Sequence, residues 1–496
     1  MVLYQTRCIG CHACTTACKS ENDVPLGVTR TYVKSVDVGT FPHVRRAFQV
    51  TRCNQCENPP CVAACPTGAM YQRPDGIVDF DKRICIGCKA CIAACPYDAI
   101  FINPEDHSAE KCNFCAHRLD VGLEPACVVV CPTQAILVGD LHDPDSQVSR
   151  IVKRQPVTIR RPEKETRPNV FYKGAHQATL DPLAARRPAG GLFAWATQKR
   201  GGQHVVSGHP GPQNSSAAAL LSYDVPHRAP WDWRVSLYTW TKGIAAGGFL
   251  IPVLLVLAGR LRWSSSLARF GAPSMGLAFL AVTGMLLIAD LKHPLRFYLI
   301  FTRHQMRSWL VRGSYVISAF GAIATAYLAA AIAGATTVEQ IAGVVGIPLA
   351  LGVACYTAYL FAQAKARDLW QSPLLVPHFA VQAALVGSAA MLPLAQWLGP
   401  QSSASALTAI LSACAIAHLL FVFGETTTAH VTAHAHLATK EMLKGRYAAF
   451  FWTGLVGIAV ATSAPLIGAV AVPFALVGLL AHEHAFVQAG QAVPLA

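Results

Sequence analysis

The chain has 496 residues, 53% of them hydrophobic, and a formal net charge of +14 at pH 7. Its length allows two to four domains. The positive charge does not mark a nucleic-acid reader, because the basic residues gather in one linker and in short loops between apolar runs, as in a membrane protein. Sixteen of the eighteen cysteines lie between Cys8 and Cys131, whereas nearly all long apolar runs lie after residue 235. Two different machines joined by a linker are therefore expected. The residues before Cys8 leave no room for a charged start, an apolar stretch and a cleavage site, so export on a signal peptide of its own is not expected. Val2 to Thr6 remain to supply a first strand.

The sixteen cysteines fall into four groups of four: CIGCHACTTAC (Cys8, Cys11, Cys14, Cys18), CNQCENPPCVAACP (Cys53, Cys56, Cys61, Cys65), CIGCKACIAACP (Cys85, Cys88, Cys91, Cys95) and CNFCAHRLDVGLEPACVVVCP (Cys112, Cys115, Cys127, Cys131). The first and third have the C-x2-C-x2-C-x3-C spacing of bacterial ferredoxins, in which three cysteines wrap one [4Fe–4S] cluster and the fourth reaches the next. Short spacers curl the backbone so that its N–H groups aim at the sulfides. Structural zinc has no use for a third and fourth cysteine at this spacing. Disulfides need cysteines outside such tight loops and an oxidising compartment. Between groups two and three, GAMYQRPDGIVDFDKR reads as strand, Pro-Asp-Gly turn, strand. Two α+β ferredoxin-like units follow, one nested inside the other in sequence.

With the second group spaced x2-x4-x3 and the fourth x2-x11-x3, residues 1–175 resemble the four-cluster subunit of complex iron–sulfur molybdoenzymes. That family includes the electron-transfer subunits of dimethyl sulfoxide reductase and polysulfide reductase. The resemblance implies crossed ligation: Cys8, Cys11 and Cys14 with Cys131, and Cys112, Cys115 and Cys127 with Cys18. It likewise implies Cys53, Cys56 and Cys61 with Cys95, and Cys85, Cys88 and Cys91 with Cys65. All four cysteines of the third group are kept, so four [4Fe–4S] clusters are implied rather than a three-iron variant.

Residues 141–235 form an extended basic, Pro/Gly-rich linker without sustained periodicity. VKRQPVTIRRPEKETRPNVFYKG is basic and proline-bearing, and GGQHVVSGHPGPQNSS is flexible by composition. Two readings stand: a solvated tether throughout, or a first part packed along the cluster domain.

Eight apolar runs near 237–258, 269–291, 312–334, 340–363, 376–398, 404–424, 446–464 and 467–488 are each long enough to cross a hydrocarbon core of about 30 Å. The boundary between the last two, near Ala-Pro-Leu-Ile-Gly, is the least marked. An even number returns the chain to the cluster-domain side. Loops there carry Lys292, Arg296, Arg303, Arg307, Arg312, Lys365, Arg367, Lys440, Lys444 and Arg446, against Arg260, Arg262 and Arg269 opposite. This asymmetry favours a cytoplasmic cluster domain in the inner membrane, although relatives of this type often face the periplasm. Cys355 and Cys414 lie inside runs and read as small packing residues. His293, His304, His378, His430, His434 and His436 fall at or beyond run ends, and only His418 lies clearly inside one. No haem is therefore expected, and His418 reads as a lone hydrogen-bonded helix residue. HVTAHAH offers His430 and His434 at i, i+4 for a metal, but reads better as an exposed interfacial loop.

DLKHPLRFYLIFTRHQMRSWLVRGSY crowds ionisable groups at a membrane boundary, where they are costly without a purpose or water. Tyr238 and Trp240 begin the first run, Tyr356 lies late in the fourth, His378 opens the fifth and Glu425 ends the sixth. Interfacial snorkelling and an aromatic belt account for Trp240, Arg303 and others. The functional reading of the rest is a quinone pocket, which needs hydrogen-bond donors for two carbonyls and groups that pass protons. This half resembles the haem-free eight-span membrane subunit family of polysulfide reductase and formate-dependent nitrite reductase. The family's Asp-Leu-Gly-x-Pro-x-Arg segment matches Asp290, Leu291, Pro294 and Arg296, with Lys292 at the glycine. Ser308, Trp309 and Arg312 to Ser314 also match, and Tyr356-Thr357-Ala358 resembles a Tyr-Thr-Gly whose tyrosine is associated with the quinone site.

The expected architecture is an α+β ferredoxin-like double domain (1–140), the linker (141–235), and an all-α transmembrane eight-helix bundle (236–490). The expected role is electron transfer between the quinone pool and a separate catalytic subunit, of the molybdopterin type that the resemblance implies. Tyr238, Asp290, His293, Arg296, Tyr356 and Glu425 are the quinone-site candidates. The alternatives are an anchoring and assembly module without a quinone site, and an energy-coupling module of another respiratory complex.

Overall fold

The computed structural model describes residues 1–186, 219–398 and 401–495. It divides into two units, Met1–Pro230 with Ala364–Ala366 and Ala492–Ala496, and Trp231–Gln363 with Arg367–Gln491.

In the first unit the cysteine loops curl through left-handed residues at equivalent places. Gly10 and Gly87 have φ of +70° and +68°, and His12 and Lys89, each directly after the second cysteine of its loop, have +61° and +64°. A left-handed conformation costs an L-residue about 1–2 kcal/mol, so glycine suits the first position and the loop imposes the second. Each loop then enters a helix: α1 (Ala13–Glu21) in group one, and a single turn at Ala90–Ala94 in group three.

Four small sheets carry these loops. β1 (Val2–Tyr4) lies between β8 (Ile136–Leu137), antiparallel, and β9 (Phe171–Lys173), parallel. β2 (Thr31–Thr40) and β3 (His43–Arg52) form the longest hairpin, paired from Thr31↔Arg52 to Thr40↔His43. β4 (Met70–Gln72) and β5 (Val78–Phe80) flank the Pro-Asp-Gly turn as the sequence predicts, with Asp75 Oδ1 accepting from Ile77 N–H at 3.0 Å. β6 (Ile100–Ile102) pairs with β7 (Ala109–Lys111).

The linker region is more structured than its composition predicts. It contains α2 (Gln147–Arg154), whose Val148 and Ile151 bury against Val2, and β9. After residues 187–218, which include the GGQHVVSGHPGPQNSS stretch and lie outside the described residues, β10 (Ala219–Tyr223) joins the edge of β2 and packs Ala219 and Leu221 on Val36 and Val38. His227 then bridges Asp98 and Asp224, with Asp224 Oδ1 3.1 Å from His227 Nε2. Periodicity missed these elements because they are short and add to edges that the cluster domain already supplies.

In the second unit α3 (Trp233–Leu257) is the central helix, buried along most of its length. Around it stand α4 (Ala272–Asp290), α5 (Trp309–Ala333), α6 (Thr336–Gln363), α7 (Leu375–Leu398), α8 (Gln401–Thr427), α9 (Ala433–Leu443), α10 (Ala448–Ala461) and α11 (Ala471–Gly490). Among the described residues, seven helices are long and apolar enough to cross a membrane, with Ala464–Gly490 counted as one. The run expected at 446–464 forms the 14-residue α10, about 21 Å at 1.5 Å per residue and shorter than the core. Exposed Met285, Ile332, Leu420, Phe423 and Val456 give the bundle an apolar outer face.

Lipid tails are as apolar as leucine, so helices in a membrane associate through close packing and buried polar contacts. Two crossings show the first. A Cβ on Gly247 of α3 would sit 1.8 Å from the Ala383 carbonyl oxygen, and one on Gly387 of α7 would sit 2.2 Å from the Gly247 carbonyl carbon. Gly457 and Gly478 bring α10 and α11 similarly close. At one end of the bundle, Trp231 stacks on Trp370, which stacks on Phe361. Gln491 exchanges both its amide hydrogen bonds with the Trp231 backbone.

Gly247→Leu is expected to prevent compact folding of this bundle, seen as aggregation or proteolysis in detergent. Gly284→Leu, at a position with nothing within 4 Å of an added Cβ, should leave it intact. A second expectation concerns His227. Burial lowers its pKa, but the carboxylates of Asp224 and Asp98 outweigh burial and raise it to about 10. A raised folded-state pKa contributes stability that is fully present below the unfolded value of about 6.5 and is lost as pH rises through about 10. Thermal melts of wild type and His227→Gln should therefore differ most near pH 6 and converge by pH 10.

Candidate functional site

The cysteines converge in four sets drawn from different motifs. Cys8, Cys11, Cys14 and Cys131 line one cavity of about 320 Å³. Cys65, Cys85, Cys88 and Cys91 line another of about 360 Å³. Cys18 has Cys112, Cys115 and Cys127 as neighbours, and Cys61 has Cys53, Cys56 and Cys95. None of the eighteen is in a disulfide.

Backbone amides point at the sulfurs: Met70 N–H at Cys65 (3.3 Å), Ala109 at Cys85 (3.4 Å), Phe114 at Cys112 (3.4 Å) and Ala135 at Cys131 (3.2 Å). Two buried cations stand among the thiols. Arg52 donates to Cys112 and Cys127, each at 3.3 Å, and buried Lys111 lies beside Cys53 and Cys61. Burial pushes the Cys14 and Cys18 thiols up to about 12. It pushes Cys112 up as well, but the charge and hydrogen bonds of Arg52 outweigh it and hold that thiol below its usual value. Sets of four inward thiols with sulfur-directed amides and compensating cations fit iron–sulfur clusters, which are bound by thiolates and tuned by hydrogen bonds to sulfur.

In the helical unit, Tyr238, Tyr356 and Asp290 are buried, and Tyr238 lies within electrostatic reach of the other two and of Glu483. Tyr356 packs its ring against Gly313, where an added Cβ would be 2.3 Å away. His293 and Arg296 are half-buried and stand at the 3-10 turn Pro294–Arg296 that follows α4. Glu425 pairs with a histidine: its Oε1 is 3.3 Å from His378 Nδ1. Trp240 is half-buried, and its indole N–H donates to the Leu476 carbonyl at 2.9 Å. The HVTAHAH stretch is not a loop throughout, because α9 begins at Ala433, and His430 pairs with Thr439 at 2.8 Å.

Sequence reasoning missed two buried charges. Lys242 donates to the Ala354 carbonyl (2.9 Å) and Thr357 Oγ1 (2.6 Å), and lies over the rings of Tyr356 and Phe379. Glu483 accepts from Thr239 Oγ1 at 2.8 Å. The signal was present: a lysine within a long apolar run, and a carboxylate in the stretch His-Glu-His. His418 is not alone either, since His378 and His482 face it. The expectation that only His418 lay inside a run had left out His482, which lies inside the run at 467–488, and the three come from α7, α8 and α11.

A 4Fe-4S dicluster family profile matches residues 44–141, and the profile of the polysulphide reductase NrfD family matches residues 223–493. The chain belongs to the NrfD polysulphide reductase family. Its cluster unit is 44% identical over 190 residues to a tetrathionate reductase subunit of Salmonella typhimurium, covering 38% of this chain and 76% of that protein. It is 46% identical over 175 residues to the NrfC homolog of Haemophilus influenzae (35% and 78% covered). It is also 43% identical over 174 residues to a polysulfide reductase chain of Wolinella succinogenes (34% and 91% covered). The protein is thus a fusion of an iron–sulfur electron-transfer unit with an NrfD-type membrane unit, and it is an integral membrane protein.

The convergence of the thiols gives a direct expectation. Cys131→Ser and Cys8→Ser should disturb the same cluster signal in electron paramagnetic resonance, although more than a hundred residues of sequence separate the two. Cys127→Ser should disturb a different one, shared with Cys18→Ser.

Proposed function

We propose that the chain passes electrons between the membrane quinone pool and a separate catalytic subunit of the molybdopterin type, through four [4Fe–4S] clusters. The observation that carries this reading is the pairing, in one chain, of four converged thiol sets with a membrane unit that buries ionisable groups beside two tyrosines. Bound clusters supply one-electron transfer. The hydroxyls of Tyr238 and Tyr356 donate to the quinone carbonyls. Asp290 and His293 exchange its protons, and Arg296 holds the loop's charge balance. By their names these relatives are parts of reductases, which supports a partner that holds the substrate. Exposed Val121, Leu123 and Val129, on and beside the insertion between Cys115 and Cys127, offer that partner an apolar surface. Loop charges favour the inner membrane with the cluster unit on the cytoplasmic side.

Quinol-analogue reduction of the clusters, followed by visible absorbance, tests the site in Tyr356→Phe, Asp290→Asn and His293→Gln. At least a tenfold slower rate is expected in one or more; unchanged rates in all three would reject the pocket. Iron and acid-labile sulfide should each be about sixteen per chain. Shortening the Cys115–Cys127 insertion should weaken partner binding and leave quinol-dependent reduction intact.

A further inference from the structure

The strongest cluster of ligating side chains outside the sites above lies deep among the membrane helices. His378 of α7, His418 of α8 and His482 of α11 are 2%, 1% and 2% exposed. One ligand atom from each lies within 4.8 Å of the other two. His378 Nε2 and His418 Nδ1 are 2.9 Å apart, and the His418 and His482 ring centroids are 4.7 Å apart. We propose that these three imidazoles form a binding site for one divalent d-block ion of the zinc type. This goes beyond the quinone reading and does not depend on it.

A purely hydrogen-bonded trio is the competing account, and it leaves atoms unpaired. His482 Nδ1 and Gln382 Oε1 are buried without a partner, and an unmade hydrogen bond in such a place costs about 1–3 kcal/mol. Gln382 Nε2 stands 3.4 Å from His378 Nε2, the same nitrogen that faces His418. Without an ion the His378–His418 contact is a hydrogen bond; an ion at the centre displaces its proton and takes both nitrogens as ligands. Zinc–nitrogen bonds of about 2.0–2.1 Å in a tetrahedron set nitrogens about 3.3 Å apart. The observed 2.9 Å contact and 4.8 Å limit bracket that spacing, so small ring movements suffice.

The surroundings also match a metal centre. A metal-bound histidine usually passes its other ring N–H to a carboxylate, and Glu425 Oε1 lies 3.3 Å from His378 Nδ1. Glu483 follows His482 in the chain and borders, with His378, Gln382 and His482, a cavity of about 280 Å³. The Glu425 carboxylate beside His378 offsets part of the ion's charge. Three imidazoles without a thiolate suit zinc and its neighbours rather than magnesium or calcium.

The test uses the full chain in detergent, incubated with zinc sulfate, desalted, and assayed for zinc and iron together, with X-ray absorption at the zinc edge. About one retained zinc per chain is expected, with a nitrogen shell at about 2.0–2.1 Å. His418→Gln and His482→Gln should each lose at least nine-tenths of it at unchanged iron content. Glu425→Gln, which keeps all three imidazoles, should weaken zinc binding about 10- to 100-fold. The proposal is overturned if the wild type retains no zinc, or if the histidine variants retain as much as wild type. A dominant sulfur shell at about 2.3 Å would also overturn it, because the zinc would then sit among the cysteines. The spectrum of the wild type decides the ligands even where a variant folds poorly.

Discussion

The cluster unit depends on one constraint: each cysteine loop brings three thiols to a point and takes its fourth from another loop of the sequence. Loop one is completed by Cys131 and loop three by Cys65. The chain must therefore fold back on itself before any set is whole. The small sheets serve that closure. β1 holds the start of the chain between β8 and β9, and the Arg52 guanidinium at the end of β3 reaches thiols of the fourth loop. Burial raises the Cys14 and Cys18 thiols, so it is the thiolate form that this crowding disfavours. Bound metal would stabilise those thiolates and so favour the folded cluster unit.

The membrane unit meets a different constraint. Hydrophobicity does not drive one helix onto another in lipid, so contact comes from small residues and internal polar bonds. Gly247 and Gly387 let two backbones touch. Lys242, Thr239 and Glu483 then tie α3 to α6 and α11. At the other end of α4 from Asp290, Arg269 bonds Glu339 at 3.2 Å and the Ala331 carbonyl at 2.7 Å, so this charge too is held by partners.

Legibility in the sequence followed the range of the interaction. The ferredoxin spacing is local, and the β4–β5 hairpin lies where its turn residues place it. The apolar runs are local as well, and their helices match within a few residues, α10 ending four residues before Pro465. The first part of the linker does pack on the cluster domain through β9, but β9 and β10 themselves were not legible, because they have no pattern of their own and exist only as additions to an edge.

By itself the sequence determined what chemistry the chain carries: four tight thiol loops, then a series of membrane-spanning runs, because loop geometry and bilayer thickness both act over a few turns of backbone. Only the tertiary structure decided what stands opposite what. It turned His418 from a lone residue into one of three facing imidazoles, with His378 40 residues away, and it set Glu425 on His378. Helix packing brings such residues together through small side chains whose contacts leave no periodic mark. That is why the thiols were legible and the histidines were not.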